Sequence, residues 1–219
     1  MDHPPVPTFH ARRGRLSAQA RARLADLGPR YAVPAGLLES TCDEARVVLD
    51  VGCGYGAATL AYAAADPMAT VVGVDVYPPG LARLLGDAAD TGTDHVYVHL
   101  GDAVTLLRER VAPGRLTAVH LFFPDPWPKA RHRRRRFVGA GTLDLLHAAL
   151  SPRGHVLLAT DHPAYAAHVE AQVRAHGGFV MGEVPRPGWR PVAGFELVAR
   201  RAARPVLDLR LDRVAGNRS

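Results

Sequence analysis

The sequence predicts an α/β fold, a mostly parallel, Rossmann-like sheet with helices on both faces. Short apolar runs alternate with helical segments through most of the 219 residues, a pattern typical of buried parallel strands covered on both sides. A glycine-rich turn follows the first apolar run and indicates a ligand site at one sheet edge. With 47% hydrophobic and 22% charged residues, the composition excludes a largely disordered chain.

The elements are predicted in chain order from apolar runs, caps and breakers. An irregular arm at 1–16 precedes a helix at 18–27, which Ser17 caps and Gly28-Pro29 stops. Buried strands are expected at 47–51, 70–76, 95–100, 116–123 and 155–160. One helix is expected from the glycine-rich turn to about residue 65, and a second begins at Pro78-Pro79. Further helices are expected from the Asp102 cap to Val111, at 137–150 and at 164–176. Residues 179–184 and 195–211 are expected to be closing strands.

We expect two regions, a basic N-terminal arm with its helix at 1–40 and a single domain at 41–219. The formal net charge of +6 is concentrated in the basic segment, Lys129–Arg136, which holds six cations and no acid. Outside this segment, 21 basic residues balance 21 acidic ones. A chain that is neutral outside one basic segment indicates a localised contact with a polyanion rather than nonspecific polyanion binding.

Several classes of protein are excluded or disfavoured. Two cysteines, Cys42 and Cys53, are too few for a disulfide framework. Residues 1–15 contain no apolar stretch typical of a signal peptide, and the most hydrophobic run, 47–65, contains Asp50 and three glycines. None of the eleven histidines shows a metal-ligand pattern. We expect a cytoplasmic monomer or homodimer with no membrane and no metal.

The turn Asp50-Val51-Gly52-Cys53-Gly54-Tyr55-Gly56 is typical of a nucleoside-cofactor site. Asp75 and Asp102 end the second and third predicted strands, so the three acids fall at one sheet edge. A dinucleotide site has G-x-G-x-x-G and places a pyrophosphate at the helix N-terminus. Here the spacing is G-x-G-x-G, and the preceding acid would repel pyrophosphate but suits an ammonium group. This favours S-adenosyl-L-methionine (SAM).

A proline-rich segment, Phe123-Pro124-Asp125-Pro126-Trp127-Pro128-Lys129, follows the fourth predicted strand. Its three prolines restrict the backbone and hold the acid between two aromatic residues, an arrangement that suits a planar base. The alternative interpretation is a rigid loop with a buried tryptophan. Because the basic segment follows directly, phosphate contact beside a base pocket is the favoured interpretation.

The run FPDPWPKARHRRRR at 123–136 resembles the signature of the tRNA (guanine-N7)-methyltransferase family, which belongs to the class I SAM-dependent methyltransferases. Further matches keep the family's order. They are Arg12–Ser17, Leu49–Gly56, Gly73–Asp75, Gly101–Ala103, Ala159–Asp161 and Phe195-Glu196. The resemblance covers residues 9 to about 211 and implies a class I methyltransferase sheet.

The resemblance also implies roles for individual residues. Positions that bind SAM fall on Asp50, Gly52, Gly54, Asp75, Asp102 and Asp125, and Asp125 also falls on the catalytic position. Substrate positions fall on Lys129, Asp161, Phe195 and Glu196. The RNA-contact stretch falls on Arg131, Arg133, Arg134, Arg135 and Arg136. Guanine N7 has a free lone pair, so Asp125 and Asp161 are expected to orient the base through its N1–H and 2-amino group.

Three departures from the family pattern keep alternatives open. Asp50 replaces a glutamate, Ala193-Gly194 replaces Thr-Lys before Phe195-Glu196, and His162 stands where an aromatic residue is common. The first hypothesis is methylation of guanine N7 in the variable loop of tRNA. The second is a paralogue that N-methylates a small guanine-like or other nitrogen heterocycle. The third is an RNA-binding module without catalysis, which the intact set of acids disfavours.

Overall fold

A computed structural model describes residues 8–9, 16–40 and 46–214 of the chain. Seven strands form one sheet. They are β1 (Arg46–Val51), β2 (Ala69–Asp75), β3 (Val96–Leu100), β4 (Leu116–Phe122), β5 (Leu150–Thr160), β6 (Phe179–Glu183) and β7 (Leu207–Arg213). Their spatial order is β3-β2-β1-β4-β5-β7-β6. The predicted α/β class is confirmed.

Seven α-helices accompany the sheet. They are α1 (Ala18–Tyr31), α2 (Ala57–Ala65), α3 (Pro78–Asp90), α4 (Ala103–Arg110), α5 (Ala140–Ala149), α6 (Pro163–His176) and α7 (Gly194–Arg201). A 3-10 helix covers Ala130–Arg135 in the basic segment. None of these described helices is long and apolar enough to cross a lipid bilayer.

The direction of the strands determines where a ligand can bind. Strands β1 to β5 pair in parallel, and β7 runs antiparallel between β5 and β6. Strand β1 lies at the point where the order reverses, because β2 and β3 lie on one side of it and β4 and β5 on the other. In open α/β sheets the ligand crevice lies outside the carboxyl ends of the strands at this point.

Strand β1 is buried on both faces from Val47 to Val51, as its mostly apolar sequence predicts. Val47, Leu49 and Val51 belong to the largest hydrophobic cluster, whereas Val48 packs into a separate cluster with Ala69 and Ala118. Successive side chains of a strand point to opposite faces of the sheet. The two clusters therefore show that both faces are covered.

Helix α1 is longer than predicted. Ser17 caps it by accepting a hydrogen bond from the Ala20 amide (3.1 Å), but the helix continues through Gly28 and Pro29 to Tyr31. Tyr31 is fully buried in a cluster with Leu85 and Ala88 of α3. Burying this large side chain outweighs the one backbone hydrogen bond that a proline removes near the helix end.

The prediction of closing strands across 195–211 is wrong in its first half. Residues Gly194–Arg201 form α7, and β7 starts only at Leu207. Glu196 and Arg200, one turn apart on α7, form an ion pair (2.9 Å), and Glu196 is buried. The helix thus places the buried Glu196 carboxylate beside Arg200, which the alternating apolar pattern of a strand would not do.

Smaller differences occur elsewhere. Helix α5 begins at Ala140 rather than 137, because Phe137 and Val138 are buried in the core and the Thr142 hydroxyl donates to the Phe137 carbonyl. The predicted arm residues Arg12, Arg13 and Arg15, and also Cys42, lie outside the described residues.

Candidate cofactor and substrate site

A cavity of about 490 Å³, hereafter the main cavity, lies at the carboxyl ends of β1, β2 and β4. Eight predicted site residues line it. They are Asp50, Gly52, Gly54, Asp75, Asp102, Asp125, Phe195 and Glu196. Its volume lies in the range of small-molecule sites. The fold thus brings together residues from five separate parts of the chain.

The glycine turn forms a wall of bare backbone. Gly52, Gly54 and Gly56 have φ of +70°, +58° and +80°, a region that other residues adopt only with strain. A Cβ at Gly56 would lie 2.3 Å from Leu84 Cδ1, whereas one at Gly52 would meet nothing within 4 Å. Gly56 is therefore required for packing on α3, while Gly52 leaves open space for a ligand.

Asp75 fixes the glycine turn from the end of the neighbouring strand. One carboxylate oxygen accepts the Gly54 amide and the other accepts the Tyr77 amide, both at 2.8 Å. A carboxylate offers about four lone-pair sites, so both oxygens retain accepting capacity. Asp75 is half-buried and lines the main cavity.

Asp50 is almost fully buried at the main cavity, with 2% of its surface exposed. The Thr59 hydroxyl donates to its carboxylate at 2.6 Å. Burial raises the pKa of Asp50 to about 6, helped by the nearby charge of Asp75 and opposed by the Thr59 hydrogen bond. Among the described residues, no basic side chain pairs with it, so a bound cation would find its counter-charge here.

Asp102 begins α4 as its N-cap, as predicted, and accepts the Thr105 amide at 2.9 Å. An N-cap carboxylate satisfies one of the amides that have no partner within the helix. The cap also places Asp102 beside the end of β3, where it lines the main cavity.

The proline-rich segment enters the main cavity only with its first half. Phe123, Pro124 and Asp125 line the cavity, but Trp127 does not. Trp127 is 3% exposed, and the Arg135 guanidinium lies 4.8 Å from its ring centroid. The expectation that Trp127 flanks a base is wrong, and the alternative of a rigid loop with a buried tryptophan describes this residue.

The basic segment divides into exposed and anchoring arginines. Arg131, Arg133 and Arg134 are exposed, and Arg135 is half-buried on Trp127. Arg136 is buried and donates hydrogen bonds to the carbonyls of Pro126 (3.0 Å) and Trp127 (3.4 Å). Arg136 therefore holds the segment to the proline-rich loop, and its contact with RNA stays a prediction.

Two predicted substrate residues lie outside the main cavity. Lys129 is exposed, directly before the 3-10 helix. Asp161 forms an ion pair with Arg204 (2.7 Å). The structure brings neither side chain to the cavity wall.

Glu196 occupies the centre of a buried charge network at the cavity wall. It forms ion pairs with Arg186 (2.6 Å), Arg190 (3.1 Å) and Arg200 (2.9 Å), and Arg190 also binds Asp208. Although burial raises the pKa of Glu196, its hydrogen bonds and charge contacts with these arginines outweigh that effect and lower it. Glu196 is therefore ionised and already engaged by three cations.

Sequence reasoning missed Arg190 and the aromatic stack beside it. The Arg190 guanidinium lies 4.8 Å from the ring centroid of Phe122. The His120 ring packs on those of Phe122 and Trp189, with centroid distances of 5.3 and 5.1 Å. Burial lowers the pKa of His120 to about 3, with the charges of His155 and Arg190 adding to the effect. The only sequence signal was an arginine and a tryptophan in a loop otherwise rich in proline and glycine.

Comparison with known proteins places the chain in a family. A model described as a putative methyltransferase matches residues 44–208. The tRNA (guanine-N(7)-)-methyltransferase of Thiobacillus denitrificans is 38% identical over 215 residues, covering 94% of both chains. The chain belongs to the tRNA (guanine-N7)-methyltransferase family. The protein of the same name from Burkholderia mallei is 35% identical and covers 93% of this chain and 80% of its own length.

Some members of this family are longer. The chain spans 65% of the Nocardia farcinica relative and 62% of the Mycobacterium ulcerans relative, each 40% identical to it. Among solved structures, an rRNA methylase from Streptococcus thermophilus superposes with a TM-score of 0.55 at 15% identity, covering 82% of this chain and 93% of that one. A putative methyltransferase from Streptococcus mutans in complex with SAH gives 0.52 at 12% identity, covering 81% and 94%. These likenesses confirm the class I methyltransferase fold.

The charge network yields a prediction for stability. Arg190→Met leaves Asp208, which is 8% exposed, without its arginine, and an uncompensated buried charge costs about 3 kcal/mol. The midpoint of urea-induced unfolding should fall accordingly. Arg83→Met, which removes an exposed i,i+4 pair with Asp87, should cost less than about 1 kcal/mol. An Arg190→Met variant as stable as the wild type would show that the network is dispensable.

Proposed function

We propose that the chain transfers the methyl group of SAM to N7 of a guanine in the variable loop of tRNA. One observation carries the proposal: the acid-lined main cavity is joined by a rigid proline-rich loop to an exposed row of arginines. Asp125 lies at the cavity wall, and Arg131 follows six residues later along the chain. A polyanion with one base in the cavity fits this combination of charges.

The residues of the main cavity fit SAM. The bare backbone at Gly52 leaves room that a Cβ would otherwise fill, and Asp50 is a buried acid that no cation pairs with in the described part of the chain. We assign Asp50 to the ammonium group of the cofactor, Asp75 to its ribose hydroxyls and Asp102 to its adenine. When bound, SAM supplies an electrophilic methyl group on a sulfonium. An acid at the glycine turn disfavours a dinucleotide, because it would repel the pyrophosphate.

The proposed catalysis rests on positioning and charge. Guanine N7 attacks with a free lone pair, so no residue has to remove a proton first. Asp125 would accept hydrogen bonds from the guanine N1–H and 2-amino group and would favour the positive charge that develops on the purine. A site that leaves these acceptors unpaired with adenine discriminates against it. Direct contacts of Lys129 and Asp161 with the substrate remain predictions, since neither lines the cavity.

The substitution of Thr-Lys by Ala193-Gly194 supports a second candidate. Both residues line the main cavity and supply neither a hydroxyl nor a cation there, which would suit a smaller nitrogen heterocycle. Arg190 nevertheless brings a guanidinium group to the same wall, where it pairs with Glu196. We therefore favour the tRNA substrate and retain the small-molecule paralogue as the competing proposal.

The proposal is tested by incubating the protein with unmodified tRNA and labelled SAM. Mass spectrometry of the digested nucleosides should show 7-methylguanosine, and parallel incubations with guanosine and guanosine monophosphate should show none. Methylation of the small molecules but not of tRNA would replace the proposal with the paralogue. SAM-independent tRNA binding without any methylated nucleoside would indicate the non-catalytic RNA-binding module.

The pKa of Asp50 predicts how SAM binding depends on pH. Above pH 6 the carboxylate is ionised and attracts the cofactor's ammonium, whereas below pH 6 it is protonated and the attraction is lost. Affinity for SAM, measured by calorimetry, should therefore fall about tenfold per pH unit below 6. Asp50→Asn keeps the Thr59 contact and should bind weakly with a flat profile. A wild-type affinity that is constant from pH 7.5 to pH 5, within the stability range of the fold, contradicts the assignment.

A further inference from the structure

A second cavity of about 540 Å³ adjoins the main cavity. Four residues line both of them: Thr8, Phe9, Asp102 and Phe137. The rest of its wall comes from α4, the basic segment and the start of α5. Asp102 is assigned to the adenine of SAM, and Arg134 and Arg136 belong to the expected RNA-contact stretch, but Arg108 and the start of α5 have no role so far.

The charge of the second cavity is strongly positive. Three arginines line it, Arg108, Arg134 and Arg136, against the single carboxylate of Asp102. That carboxylate already caps α4. Within the described part of the chain, neither Arg108 nor Arg134 has an acidic partner within ion-pair distance. Two uncompensated guanidinium groups thus face the same space.

The neighbouring Arg110 shows that this lack of partners is local. Arg110 lies two residues further along α4 and pairs with Glu39 at 2.8 Å, and it does not line the cavity. The helix therefore carries one neutralised arginine and one that remains available. Arg136, held by two backbone carbonyls, gives the cavity a rigid cationic wall.

The start of α5 adds hydrogen-bond donors to these arginines. Gly139, Ala140, Gly141 and Thr142 line the cavity, and the first turn of α5 contains no acidic residue. The first amides of a helix have no acceptor within it and favour an anion. The opening turn of α5 therefore reinforces the field that the arginines create.

We propose that the second cavity binds a backbone phosphate of the RNA, adjacent to the nucleotide whose base enters the main cavity. This inference rests on the proposed function and assigns it a further binding residue, Arg108. The shared wall places the phosphate next to the base site, and Arg134 links the cavity to the exposed arginines of the basic segment. A phosphate diester is the anion that a polynucleotide presents at every residue, and arginine binds it with charge-assisted hydrogen bonds.

Two variants test the phosphate site. Arg108→Gln removes the available cation, and Gly141→Glu places a carboxylate in the cavity wall. A Cβ at Gly141 meets nothing within 4 Å, and an acid in the first helical turn stabilises a helix, so this variant should fold at least as well as the wild type. Arg110→Gln is the matched control, since it removes the same charge from the same helix outside the cavity.

Steady-state methylation of tRNA is measured over a range of salt concentrations. Arg108→Gln and Gly141→Glu should each raise KM for tRNA about tenfold and reduce the slope of log affinity against log salt by about one. The Kd for SAM and kcat at saturating tRNA should not change, and Arg110→Gln should behave as the wild type. If Arg108→Gln and Gly141→Glu match Arg110→Gln, the phosphate site is overturned while the proposed function stands.

Two further arms separate the inference from its alternatives. Direct binding of tRNA to the same variants decides the phosphate site even if the wild type forms no 7-methylguanosine, which would overturn the proposed function alone. Inorganic phosphate should compete only weakly with tRNA. Strong competition by phosphate in the wild type that Arg108→Gln abolishes, together with unchanged tRNA binding, would assign the cavity to free phosphate and overturn the RNA contact.

Discussion

The Asp75 carboxylate is the interaction on which the rest of the site depends. It accepts the amides of Gly54 and Tyr77 and so ties the glycine turn after β1 to the segment that follows β2. The turn has positive φ at three glycines, which adopt this conformation without strain but lose more conformational entropy on folding than other residues. By fixing this turn, Asp75 keeps the bare wall open and starts α2 and α3 in their places.

The site combines two opposite electrostatic environments at close quarters. The main cavity is lined by carboxylates that suit a cationic cofactor, and the basic segment beyond the proline-rich loop suits phosphates. Trp127 and Arg136 fix the loop that connects the main cavity to the basic segment. Trp127 is buried and packs against Arg135, and Arg136 donates a hydrogen bond to a carbonyl of the loop. In the proposed function, the proline-rich segment thus acts mainly as a rigid joint between the main cavity and the basic segment.

Local chemistry allowed much of this fold and site to be predicted from the sequence. Apolar runs, the Ser17 and Asp102 caps and the glycine turn depend on neighbours in the chain, and each lies where it was expected. The errors concern tertiary contacts and buried charges. Helix α1 overruns its Gly-Pro stop because Tyr31 packs on α3. In α7, Glu196 is buried among Arg186 and Arg190 of the preceding loop and Arg200 of the helix itself. Likewise, the division into exposed and anchoring arginines depends on the position of Trp127, which the sequence does not reveal.

The most direct test of the account is calorimetric titration of Asp75→Asn with SAM, beside the wild type. An amide group cannot accept hydrogen bonds at its nitrogen, so one of the two backbone amides loses its partner, at a cost to folding of about 1–3 kcal/mol. We expect a variant that still unfolds cooperatively but binds SAM at least about a hundredfold more weakly, because both the turn and the proposed ribose contact are lost. A folded Asp75→Asn variant that binds SAM with wild-type affinity would contradict it.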